Sequence, residues 1–150
     1  MKWLILAVVV LFAACGKKKS DDSKRGDNAE ARLMVRKIYM GAKAYWAEHA
    51  ALPTGATAMT PGDAPWACPG GKHKPNPAMW TSEPLWDALR FTIDEPHWYS
   101  YSYESDGTSL KVVARGDLDC DNNPATYTLT AKVEGPDLAG GDIVEEQPLE

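Results

Sequence analysis

Residues 27–50, DNAEARLMVRKIYMGAKAYWAEHA, constrain the fold more than any other stretch of this chain. Placed on a wheel at about 100° per residue, Ala31, Met34, Val35, Ile38, Tyr39, Gly41, Ala42, Tyr45, Trp46 and His49 share one broad face. Arg32, Arg36, Lys37, Lys43 and Glu48 fall on the other. Asp27 and Glu30 stand at capping-box spacing, with Asp in the Ser/Thr place. Pro53 ends the predicted helix, because its ring cannot continue the backbone pattern. A helix with so wide an apolar face needs a partner layer, and the rest of the chain must supply it.

The second half has the right periodicity. SEPLWDALRF, from Ser82, predicts a short helix with Ser82 as N-cap, Pro84 in the first turn, and Leu85, Trp86 and Leu89 on its apolar side. The period then drops to two. Phe91 and Ile93 alternate with polar residues. In HWYSYSYE, Tyr99, Tyr101 and Tyr103 face one way and Trp98, Ser100 and Ser102 the other. Asp106-Gly107 is a strong hairpin signal. Leu110, Val112 and Ala114 alternate in the next run, and Tyr127, Leu129, Ala131 and Val133 in the one after. The expected class is α+β: a long N-terminal helix packed on a three- to four-stranded antiparallel meander. Ile143-Val144 adds at most a marginal edge strand within a Gly/Pro-rich acidic tail.

Residues 1–15, MKWLILAVVVLFAAC, place Lys2 before an unbroken apolar run from Trp3 to Ala14. Such a run spans about 18 Å as a helix, short of the roughly 30 Å hydrocarbon core, and reads as a signal-peptide core. Ala13-Ala14 before Cys15 resembles the lipobox of bacterial lipoproteins. That resemblance implies lipidation of Cys15, and Gly16 in place of Asp favours the outer over the inner membrane. Residues 16–26, GKKKSDDSKRG, lack apolar side chains and read as a disordered tether reaching roughly 35–40 Å when stretched. Lys17, Lys18 and Lys19 either lie on anionic headgroups, at on the order of 1 kcal/mol each, or are simply solvated.

Residues 52–82 are irregular, with Pro and Gly recurring every few positions. A loop this long is normally tied down or functional. Beyond Cys15, the remaining two of the chain's three cysteines are Cys68, inside the loop, and Cys120. Export into an oxidising compartment pairs them as a disulfide, worth roughly 4 kcal/mol in the chain-entropy account. The rival is a redox or metal-binding pair of thiols, which lacks any CxxC partner. Trp66, Trp80 and Trp86 either pin the loop to the helix or form a platform for a glycan or peptide. His73, in GKHKP, has no second histidine at ligand spacing and reads as an exposed loop residue.

The order of elements, helix, irregular αβ loop and meander, resembles the globular domain of type IV pilins and type II secretion pseudopilins. The stretch LWDALRFTIDEPHWYSYSYESDGTSLKVVARGDLDCD resembles the pilin-like proteins of myxobacteria. These share a W-x-x-L-x-F turn, a Y-S-Y strand and a G-D-L-D-x-D loop in this order. KIYMGAKAYWAEHAALP is similar to the corresponding pseudopilin helix. The resemblance covers roughly residues 29–133. It implies assembly, secretion or adhesion at the envelope and no catalysis. The chain departs from the pattern where Cys15 and a polar tether replace the prepilin cleavage site and apolar half-helix. A lipid-anchored, pilin-like head is therefore expected, not a regular filament subunit.

These readings divide the chain into a signal peptide (1–14), lipidated cysteine and tether (15–26), pilin-like domain (27–134) and acidic tail (135–150). In DLDCDNN, Asp117, Asp119 and Asp121 alternate, a spacing that can wrap a hard cation such as Ca²⁺. Asn122 and Thr128 stand where an EF-hand needs Gly and Glu, and the rival reading is a solvated acidic turn. No other cofactor is implied. Leu33 and Met40, two turns apart on the helix's polar side, are a candidate contact for a partner helix. The net charge of −5 disfavours nucleic acid. His49, His73 and His97 are dispersed and no serine sits in a nucleophile elbow. The sequence therefore predicts a non-catalytic outer-membrane lipoprotein, an accessory or assembly partner of a type IV pilus or type II secretion apparatus. The alternative is a surface module binding glycan or peptide through Trp66 and Trp80.

Overall fold

The computed structural model describes residues 22–62 and 71–147. The signal peptide, Cys15 and the tether up to residue 21 lie outside the described residues. So do Trp66 and Cys68. Helix α1 runs Asp22–His49, so residues 22–26 are helix where the sequence predicts tether. Once a packed helix is nucleated, each further residue adds one hydrogen bond, so the helix propagates past its apolar stretch. The buried seam of α1 is Ala31, Val35, Ile38 and Ala42, with Met34, Tyr39 and Trp46 partly buried beside it. The capping-box role of Glu30 is replaced by a tertiary one. Its Oε1 accepts from the Trp98 and Tyr99 amides and the Tyr101 hydroxyl, at 2.9, 3.3 and 3.2 Å.

The layer under α1 is a five-stranded antiparallel sheet in the order β1-β2-β3-β4-β5. Its strands are β1 Gly55–Ala56, β2 Ser100–Ser105, β3 Ser109–Gly116, β4 Ala125–Glu134 and β5 Asp137–Glu146. Leading into and along β2, Tyr99, Tyr101 and Tyr103 are fully buried against the helix side. Each hydroxyl finds a partner there: Asn28 Oδ1, Glu30 Oε1 and the Pro53 carbonyl. This lets a phenol be buried without leaving its O–H unpaired. Across β2, β3 and β4, Tyr101, Ala114 and Tyr127 stand in register, as do Tyr103, Val112 and Leu129. The Asp106-Gly107 hairpin is held by the Asp106 carboxylate, which accepts from the amides and hydroxyls of Thr108 and Ser109.

Three parts of the expected architecture are corrected. First, the sheet has five strands, not three or four, and beyond α1 the chain is mostly sheet. The segment read as an acidic tail is β5, ten residues long and paired with β4 along its length. The glycines that looked like breakers are what let it pair. Gly140 and Gly141 take φ of 118° and 107°, and the register shifts between Leu129 and Ala131 beside them. A Cβ on Gly140 would stand 2.6 Å from the Thr130 carbonyl oxygen. Leu138 is buried, Ile143 packs on the core, and Arg32 joins α1 to β5 through Glu145.

Second, the αβ loop is not one irregular segment. It contributes β1, then an isolated bridge between Thr60 and Tyr101, then a bridge between His73 and His97. Two five-residue helices follow, α2 Pro77–Thr81 and α3 Pro84–Ala88. Both have Pro in the first turn, where its missing N–H leaves no bond unmade. Ser82 is the C-cap of α2, not the N-cap of α3. Phe91 and Ile93 are buried in a connection that is not strand.

Third, the described part of the loop is held by more than the expected disulfide. Cys120 is disulfide-bonded, and Cys68, the partner the sequence predicts, lies outside the described residues. What holds the described part is backbone bonding to β2 and an aromatic cluster. Trp80 meets Trp86 and Phe91 edge-on at centroid distances of 5.5 and 5.2 Å. Trp86 Nε1 donates to Thr60 Oγ1 at 3.2 Å.

Candidate functional site

The β3–β4 connection carries the acidic cluster. Asp117, Asp119 and Asp121 each offer a carboxylate oxygen, and these atoms lie within 4.8 Å of one another. Their roles differ. Asp117 is 3% exposed; its Oδ1 accepts from the Cys120 amide at 2.9 Å and its Oδ2 from the Asn122 amide at 3.0 Å. Those bonds hold Cys120 and Asn122 at φ of 69° and 66°, a left-handed conformation that disfavours most side chains. Asp119 and Asp121 are exposed and brace the backbone two residues on, at the Asp121 and Asn123 amides. The loop is therefore a carboxylate-templated turn that leaves two acidic side chains facing solvent. Its oxygens suit a hard cation in type and spacing, though a Ca²⁺ shell of about 6–8 oxygens needs more donors than three carboxylates.

The outer face of α1 is the second place. Leu33 and Met40 are 63% and 59% exposed. With Arg36 and Lys43, also exposed, they form one ridge along the helix, on the side away from the sheet. The tryptophan platform is corrected in part. Trp80 is 1% exposed and Trp86 is fully buried, so neither presents a ring to solvent. Both belong to the same buried cluster as the residues between α1 and the sheet.

The third place is one the sequence reading missed. His73 and His97 pair as antiparallel partners, exchanging backbone bonds of 2.7 and 3.3 Å. Their rings lie on the same side, with centroids 5.2 Å apart and planes tilted by 40°. His97 is 3% exposed, and its Nδ1 lies 3.0 Å from the Glu95 carbonyl oxygen. A carbonyl only accepts, so that nitrogen carries the proton and Nε2 the lone pair. This Nε2 is buried with no hydrogen-bond partner. Burial, and then the neighbouring His97, lowers the His73 pKa to about 4. The sequence did hold a signal. His97 continues the alternation of Tyr99, Tyr101 and Tyr103, which places it on the buried face. Nothing in the spacing announces His73 as its partner.

Comparison with known proteins finds no match to a family profile, a curated protein or a solved structure. Among the described residues, no helix is long and apolar enough to cross a membrane.

Proposed function

We propose that this chain is a non-catalytic, lipid-anchored envelope protein that docks a partner helix on the outer face of α1. It would act as an accessory or assembly partner of a type IV pilus or type II secretion apparatus. The observation that carries the reading is the exposed pair Leu33 and Met40 on a helix whose opposite face is fully committed to the sheet. Arg36 and Lys43 lie between and beyond them, so the ridge suits a helix presenting apolar and acidic side chains. The lipobox-like Ala13-Ala14-Cys15 supports an anchor in the outer membrane, and the pilin-like motifs from Leu85 to Asp121 support the kind of machine.

The test is a crosslinked pull-down of the lipidated protein from envelope membranes, read by mass spectrometry. Pilus or secretion components should be enriched with the wild type and lost with Leu33→Glu/Met40→Glu. Equal enrichment in both, or none in either, overturns the reading. The rival surface for glycan or peptide loses Trp80 to the core and would rest on Trp66, outside the described residues. Calcium at Asp117, Asp119 and Asp121 belongs to the same proposal as a stabilising ion, not a catalytic one.

A further inference from the structure

We infer that His73 and His97 form a bidentate binding site for a borderline transition-metal ion of the Zn²⁺ or Cu²⁺ kind. This is a different site, with different ligand chemistry, from the aspartate loop, and it does not depend on the partner reading.

Four observations carry it. The two imidazoles stand on directly opposed residues of a two-way hydrogen-bonded bridge, which fixes them side by side. A tetrahedral ion held by two imidazole nitrogens at about 2.0–2.1 Å would set the ring centres roughly 5 Å apart. The observed separation is 5.2 Å. The proton on His97 is committed to the Glu95 carbonyl, the outer-shell bond that orients metal-ligating histidines and fixes their tautomer. Finally, the remaining His97 nitrogen is a buried lone pair with no hydrogen-bond partner. A buried acceptor in that state has lost its water without replacement, and a metal ion supplies the missing bond.

The surroundings select the ion. Trp80 and Tyr101 flank His97 with centroids at 6.1 and 6.5 Å, and α2 brings no charged side chain, its sequence being PAMWT. Neutral imidazoles in an apolar wall suit Zn²⁺, Cu²⁺ or Ni²⁺ and offer nothing to Ca²⁺ or Mg²⁺, which need oxygen. Lys72, next in sequence, sets its ammonium over the Trp98 ring at 5.4 Å. His73 is the less buried of the two residues.

The experiment is a Zn²⁺ titration by calorimetry on the full chain, paired with Cu²⁺ electron paramagnetic resonance. Wild type should bind one equivalent, with nitrogen hyperfine structure in the copper spectrum. His73→Gln and His97→Gln should each weaken binding at least tenfold and simplify the nitrogen pattern. His49→Gln and Asp119→Asn/Asp121→Asn should leave both readouts unchanged. His73→Gln alters a residue less buried than His97, so it decides the matter even if His97→Gln does not fold. No saturable binding by wild type, binding unaffected by His73→Gln, or binding lost instead with the aspartates each overturns the site.

Discussion

The aspartate loop and the histidine pair are both clusters of metal-type ligands, built in opposite ways. Asp117, Asp119 and Asp121 sit within five residues of one another, and their geometry is made by local backbone bonds to residues 120, 121, 122 and 123. His73 and His97 meet only because the αβ loop adds a bridge beside the approach to β2. The first cluster is mostly exposed and spends its buried member, Asp117, on the backbone. The second is mostly buried and leaves a nitrogen with nothing to accept. Local clusters satisfy themselves with neighbouring amides, whereas a cluster made by folding inherits whatever polar atoms the core traps.

Measurements on variants of both regions test that contrast. The largest effect is expected at Trp80, the ring beneath His97. Trp80→Ala should cost about 3–5 kcal/mol in chemical denaturation, and a loss below about 1 kcal/mol would mean that Trp80 is not packed into the shared core. Gly41→Ala should follow closely, because a Cβ there would collide with the Leu89 carbonyl oxygen. A cost of roughly 1–3 kcal/mol is expected, and an unshifted melting temperature would show that α1 and the end of α3 do not pack as described.

Asp117→Ala should destabilise by roughly 2–3 kcal/mol, since two amides lose a charged acceptor. Asp119→Ala should stay within about 0.5 kcal/mol, as an exposed substitution. Equal losses at both positions would erase the division between template and solvent-facing carboxylates. Calcium should raise the melting temperature of the wild type and not that of Asp119→Asn/Asp121→Asn, measured against chelator. No shift in the wild type ends the calcium proposal.

The smallest effect concerns pH. The Thr108 and Ser109 amides, with their hydroxyls, hold the Asp106 carboxyl at about 2 against an ordinary 3.8. A carboxyl depressed in this way contributes stability that is complete above its unfolded value and lost as pH falls through its folded one. The hairpin contribution should therefore fade from pH 3.8 down through about 2, and Asp106→Asn should flatten that part of the acid profile. An identical profile in the variant would show that the hairpin does not depend on the ionised carboxylate.

Periodicity and turn chemistry are written in neighbouring residues, and that part of the molecule was legible. The seam of α1, the inward tyrosines of β2, the Asp106-Gly107 turn and the alternating runs of β3 and β4 all follow from spacing along the chain. The exposure of Leu33 and Met40 follows from the same wheel. Tertiary structure decided what needs a distant partner. Whether Gly140-Gly141 ends a strand or bends it past a bulge depends on β4. Whether Trp80 lines a surface or a core depends on what closes over it. Whether Glu30 caps its own helix or holds Trp98, Tyr99 and Tyr101 depends on where β2 lies. His73 and His97 are the clearest case: burial energy in the aromatic cluster brings them together, and burial is a property of the assembled chain, not of either segment.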